Sequence, residues 1–205
     1  MQIYETAKRL FYEKGYLDTT IKEIAEKADA KVGTVTYYYH KKEELFYEIY
    51  QEMIDKVYAF IDDRQTGELS VVEKFMYFIT IFFQIVMNDD ANRRVVYEIQ
   101  VNKSMEYFYE EPLTLLVNEV IKEQHDLANQ AQLEMFALSY FGIHRQLCFY
   151  YLEGDKNITF DEFKIMLLRT TGLFFGLSRK EINDVTLSVE SFVKENDLSE
   201  IRFLV

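Results

Sequence analysis

The sequence predicts an all-α protein, and three observations carry that expectation. One proline and seven glycines in 205 residues leave few chain breakers. That scarcity argues against a turn-rich β fold and for long helices. Apolar residues recur at spacings of three and four nearly throughout. Four Ser/Thr-x-x-Glu pairs mark helix starts: Thr20 with Glu23, Ser70 with Glu73, Thr159 with Glu162 and Ser178 with Glu181. In each, the hydroxyl takes one orphan amide and the glutamate reaches back to another. Hydrophobic residues make up 49% of the chain, enough for a substantial core and too many for a disordered one.

The elements follow in order. Ile3, Ala7, Leu10 and Phe11 form a stripe that ends at Gly15, which predicts a helix over 2–15. Ile21, Ile24, Ala25 and Ala28 predict a short helix over 20–28, and a third short one runs over 31–38. A long stripe from Leu45/Phe46 to Phe60/Ile61 predicts a helix over 42–64, roughly 35 Å long at about 1.5 Å per residue. Further helices are expected over 70–88, 91–103, 110–124, 129–153, 159–176 and 178–195. Pro112 suits the first turn of the 110–124 helix. Gly67, Gly154 and Gly176 each precede a start signal and suit left-handed helix ends. There is no sheet pattern, internal repeat or low-complexity linker.

Net charge is −12. Taken alone, that speaks against a nucleic-acid partner. Its distribution speaks differently. Residues 1–50 carry 8 basic and 9 acidic groups, and residues 51–205 carry 15 and 26. Within Thr20–Lys42 five lysines face three acids. The single cysteine, Cys148, excludes an intramolecular disulfide, fits a reducing cytosol and reads as buried filler. The N-terminus lacks a basic start followed by an apolar core. The longest apolar stretch, Phe75–Met87, is too short to span a bilayer. The expectation is a cytoplasmic protein with no membrane partner.

Catalytic and metal signals are lacking. His40, His125 and His144 show no ligand-like spacing with acids or Cys148. No glycine-rich phosphate loop and no nucleophile elbow is present. Residues 153–163 look like the end of a calcium loop, but Tyr151 stands where the first aspartate belongs and Lys156 where glycine is needed. The Asn157-Ile158-Thr159 sequon is idle without export. No enzyme, cofactor or metal is expected.

The first fifty residues place two short helices around a tight connection, with one helix before and a long one after. This is the helix-turn-helix plan, whose second short helix lies in the major groove. The run Ala7, Leu10-Phe11, Gly15-Tyr16, Thr20-Ile21, Ile24-Ala25, Ala28, Gly33-Thr34-Val35, Tyr37-Tyr38-Tyr39 and Lys42-Glu43-Glu44-Leu45 resembles the N-terminal signature of TetR-type transcriptional repressors over residues 3–46. That resemblance implies a helix-turn-helix DNA-binding domain over 1–46 and a ligand-binding and dimerisation domain over 47–205. It implies a homodimeric repressor that binds double-stranded operator DNA and is released by a small hydrophobic or cationic effector. A branch of similar proteins has lost DNA binding and acts as co-activators, which is the alternative. Thr36 departs from the aromatic usual in the family, and Tyr39 from the usual phenylalanine.

Residue chemistry completes the expectation. Thr20 opens the first short helix, whose exposed amides suit a phosphate, with Lys22 beside it. Ala30, Val35 and Tyr39 are expected to face inward, and Lys31, Val32, Gly33, Thr34, Thr36, Tyr37 and Tyr38 to face the duplex. Gly33 allows close approach, while hydroxyls and a threonine methyl suit phosphates and base edges. Lys42 is expected on another phosphate. In the larger unit, Tyr97, Glu98, Tyr107, Tyr109, Tyr140, His144 and Arg145 interrupt apolar stretches and are the candidate effector contacts. Leu133, Phe136, Ala137, Tyr140 and Phe141, with Phe163, Met166, Leu167, Thr170, Leu173 and Phe174, form stripes for a partner copy. Gly172 and Gly176 are expected to allow close helix approach there.

Overall fold

The computed structural model describes residues 2–102, 117–122, 130–153 and 157–205. It is helical, with no strand among the described residues. The elements are α1 (Gln2–Lys14), α2 (Ile21–Lys27), α3 (Val32–Tyr38), α4 (Lys42–Arg64), α5 (Val71–Met87) and α6 (Asp90–Val101). A helical stretch at 117–122, α7, follows. After it come α8 (Gln130–Leu152), α9 (Phe160–Phe174), α10 (Arg179–Glu195) and a 3₁₀ turn at Leu198–Glu200. The periodic stripes therefore become helices within a residue or two of the expected ends. The start of the 110–124 helix, including Pro112, and Gly154 lie outside the described residues.

The start signals are mostly realised. Thr159/Glu162 and Ser178/Glu181 are complete capping boxes. Ser70 and Glu73 exchange both bonds as well. Thr20 is a correction by half. Its hydroxyl accepts the Glu23 amide at 3.2 Å, but the Glu23 carboxylate turns to the Lys14 ammonium at 2.7 and 2.9 Å. A full charge nearby outcompetes the neutral N-cap amide. Helix ends show the same mix. Gly176 takes φ +83° and closes α9 with a Schellman motif, Leu177 N–H to Gly172 O at 2.8 Å and Gly176 N–H to Leu173 O at 3.2 Å. Gly67 does not adopt the left-handed conformation expected of it.

The chain divides into two compact units. Unit 1 holds residues 1–55, 85–112 and 201–205, and unit 2 holds 56–84 and 113–200. In unit 1, Phe11, Tyr16, Phe46 and Tyr50 form a ring cluster, closed from the C-terminus by Phe203 at 6.1 Å from Phe46. Ile24, Ala25, Ala28, Val35, Leu45 and Ile49 are buried with it. In unit 2, α5 supplies Phe75, Phe78, Phe82 and Phe83, which meet Tyr140, Phe163 and Phe175 from α8, α9 and the end of α9. Aromatic pairs at these distances add to the burial of large apolar areas.

Candidate nucleic-acid interface

The α2–α3 elbow sets the recognition geometry. Asp29 sits at φ +50°. Its amide reaches Glu26 O at 3.3 Å, and the next amide, of Ala30, reaches Ala25 O at 2.9 Å. These two bonds close α2 tightly and let α3 start three residues later. Lys31 caps α3 with extended backbone and no side-chain bond.

Val35 is the one fully buried residue of α3. Lys31, Val32, Gly33, Thr34, Thr36, Tyr37 and Tyr38 are all exposed, as the spacing leads one to expect. Tyr37 is 78% and Tyr38 65% exposed, and their rings meet edge to face at 5.3 Å. A Cβ on Gly33 would meet nothing within 4 Å, so the helix surface there is open to close approach. Tyr39 is half-buried, and its hydroxyl donates to Glu48 at 2.6 Å. That bond and burial push its pKa upward. Ala30 is only half-buried. Thr36 spends its hydroxyl hydrogen on Val32 O (3.1 Å) and Gly33 O (3.3 Å), so it can only accept from outside.

Thr20 and Lys22 are exposed. Among the described residues neither Lys22 nor Lys31 has an acid partner, so both ammonium groups are available. From Ala30 to Lys42 the sequence contains no acid at all. In a chain of net charge −12 this leaves the recognition segment locally basic. Repulsion from the body is weakened beyond about one Debye length, roughly 8–10 Å at moderate salt.

Lys42 is a correction. Its half-buried ammonium donates to the carbonyls of Tyr16 and Thr19 at 2.6 Å each and lies 4.2 Å from the Tyr16 ring centroid. Desolvation lowers its pKa. The carbonyls after α1 lack helical partners, and a cation buried against them satisfies several at once. Lys42 thus holds the α1–α2 loop rather than waiting for phosphate.

Glu98 is a second correction. It belongs to unit 1 and accepts the Leu17 amide at 3.0 Å. Its oxygens lie where a Cβ on Gly15 would be, 2.5 and 2.7 Å away, and Gly15 takes φ +97°. Arg94 donates to Tyr12 O at 2.6 Å, and Tyr12 OH donates to Asp89 at 2.9 Å. Helix α6 therefore grips the end of α1 with three side chains. The sequence carries no local sign of this, because the partners lie 77–82 positions apart.

Residues 3–49 match the model of the bacterial regulatory proteins of the tetR family. These residues are similar to the N-terminal domain of that family. Over 74 residues it is 34% identical to a probable HTH-type transcriptional regulator, YttP, of Bacillus subtilis, covering 33% of this chain and 36% of that protein. The chain thus matches about a third of the length of that curated relative. Among solved structures, the Thermus thermophilus repressor FadR, in complex with lauroyl-CoA, superposes with a TM-score of 0.62 at 19% identity, over 87% of this chain and 95% of that one. RolR without ligand superposes at 0.61 and 17% identity, over 91% and 95%. These likenesses show a common fold behind the tetR-family domain.

The candidate effector contacts separate. Tyr107 and Tyr109 lie outside the described residues. Tyr97, half-buried, shares unit 1 with Glu98. Tyr140 and His144 come together in unit 2, ring centroids 5.5 Å apart, while Arg145 lies over Phe149 at 5.4 Å. The expected dimer stripes also divide. Leu133, Ala137, Tyr140, Phe141, Phe163 and Leu167 are buried inside unit 2, whereas Met166 and Leu173 are exposed. Gly172 is a correction: a Cβ there would meet Ile182 at 2.5 Å, so it serves the α9–α10 packing within the chain. Gly176 ends a helix, as above.

Proposed function

We propose that this protein is a ligand-responsive transcriptional repressor that binds operator DNA as a homodimer and is released by a small hydrophobic effector. The observation that carries the reading is α3, a tetR-family recognition helix with one buried residue and an acid-free, tyrosine- and threonine-rich exposed surface. Thr20, Lys22, Lys31, Val32, Gly33, Thr34, Tyr37 and Tyr38 are the contact set, with Thr36 as an acceptor. Residues 1–46 do the binding, and 47–205 the sensing and pairing.

Three observations support the finer parts. Among the described residues, none of the buried side chains of unit 2 is charged, which favours an apolar effector over a cationic one. On α9 and α10, Met166, Leu173 and Leu187 stand at least half exposed. Leu173 lines a cleft of about 330 Å³ and Met166 a more apolar one of about 420 Å³, and the two share Arg169. An apolar face of this kind on paired helices suits an isologous contact with a second copy. Helix α4 starts in unit 1 and ends in unit 2, so a shift of its sensing half moves its binding half.

The test is a salt titration of binding to the DNA flanking the protein's own gene. With Lys42 engaged internally, about six phosphates per dimer remain to be neutralised, for a slope of log K against log salt near −5. A slope near zero overturns the reading. Absence of binding even at low salt favours the co-activator.

A further inference from the structure

The arginines of unit 2 fall into two pairs. Arg64 of α4 reaches Glu200 at 2.7 Å and Asp63 at 3.0 Å, and Arg145 of α8 lies over the Phe149 ring. Arg169 of α9 and Arg179 of α10 have no acid partner among the described residues, in a chain with 35 acidic against 23 basic groups. Both are exposed, and both line the cleft of about 330 Å³ with Asn183, Leu173 and Ile182. Among the described residues no acid lines it. Free cations in so acidic a chain are unexpected, and here the two share one concavity.

The fold builds this cleft on a tight helical hairpin. Gly172 lets Ile182 pack against α9, since a Cβ there would lie 2.5 Å from the isoleucine side chain. Ile182 is buried and gives the cleft an apolar wall. Arg169 stands about one helical turn before Gly172. Gly176, at φ +83°, turns the chain, and Ser178 caps α10 so that Arg179 is its first residue. The one acid in the first turn of α10, Glu181, is spent on the Ser178 amide at 2.7 Å. The positive end of the α10 dipole adds to the guanidinium charge.

The chemistry of the occupant follows. An arginine fork offers paired donors in a fixed geometry that matches carboxylate or phosphate oxygens. Two forks and the Asn183 amide supply two positive charges and a third donor group. A single carboxylate answers with one charge and two oxygens. A phosphate monoester brings a charge of about −1.5 to −2 near neutral pH and three acceptor oxygens, enough for all three side chains. The acidic body repels anions in general, so capture here is local. We propose that the α9–α10 cleft is a phosphoryl-binding site, in which Arg169, Arg179 and Asn183 hold free phosphate or a compact phosphate monoester. The competing occupant is a carboxylate of a second copy paired across this face. The site stands whether or not the chain binds operator DNA.

The experiment titrates the full chain at constant ionic strength with inorganic phosphate, glycerol 3-phosphate and acetate. Arginine Nε–H resonances are followed by ¹⁵N NMR and assigned with Arg169→Gln and Arg179→Gln. Both phosphates are expected to shift the two resonances saturably, with a Kd of about 1 mM or tighter, while acetate leaves them in place. Tighter binding of glycerol 3-phosphate assigns the site to a monoester, and equal binding to free phosphate. Each glutamine variant is expected to weaken binding about ten- to a hundredfold. Both positions are exposed, so melts without phosphate should match wild type. Asn183→Asp places a carboxylate in the cleft and is expected to abolish binding. No saturation by either phosphate overturns the proposal, as does equal binding by wild type and Arg169→Gln, or an equal response to acetate. It also falls if the two resonances shift with protein concentration alone and phosphate does not alter them, because a second copy then supplies the counter-charge.

Discussion

The two units handle polar groups in opposite ways. In unit 1, the loop after α1 is held by charged side chains brought from afar: Lys42 on the Tyr16 and Thr19 carbonyls, Glu98 on the Leu17 amide, Arg94 on the Tyr12 carbonyl. In unit 2, the interior is aliphatic and rich in phenylalanine and tyrosine, and Nε2 of its buried imidazole has no hydrogen-bond partner among the described residues. The first arrangement fixes one geometry for that loop.

The largest expected contrast is in pH dependence. The folded-state pKa of His144 is lowered to about 4 from 6.5. The unfolded chain therefore binds the extra proton between those values. The stability of the neutral, buried form is fully present above pH 6.5 and is lost as pH falls toward 4. At about 1.4 kcal/mol per unit this amounts to about 3 kcal/mol. Urea melts of wild type and His144→Phe should diverge by that order between pH 7 and 4, with wild type losing more. Parallel curves would mean the imidazole reaches water.

Next comes Gly15→Ala. It imposes a Cβ at φ +97° and displaces the Glu98 carboxylate from Leu17. A loss of about 2 kcal/mol is expected in thermal or urea melts. Removing the side chain at 98 with Glu98→Ala should relieve the clash but not the backbone strain. Lys42→Met should cost about 1–2 kcal/mol, by stranding the carbonyls it serves. Operator affinity should fall with that loop, yet the salt slope should stay unchanged. A slope shallower by about two per dimer would make Lys42 a phosphate contact after all. The smallest structural effect is expected from Tyr37→Phe. Stability should be unchanged, because the hydroxyl is exposed, while operator affinity drops about three- to tenfold, read by fluorescence anisotropy.

Helix existence was legible because the stripes have period 3.6 and few breakers interrupt them. Val35 as the buried anchor of α3 and the exposed run around it followed from the same periodicity. The roles of Lys42 and Glu98 were not legible. A lysine opening a helix beside a DNA-binding segment looks like a phosphate contact, and only the fold reveals that the carbonyls of Thr19 and Tyr16, 23 and 26 positions earlier, claim it first. Gly172 misled for a related reason. A small residue signals close approach but not which helix approaches, and here it is α10 of the same chain. His144 was singled out as a polar break in an apolar stripe; that only one of its nitrogens is served needed coordinates.

The elbow at Asp29 has a mechanical consequence. Glycine would let that joint pivot, whereas a residue with a Cβ has only a narrow well on the left-handed side. Helices α2 and α3 are therefore expected to travel as a single stiff bracket. Induction would then reposition the reading head wholesale, without bending it.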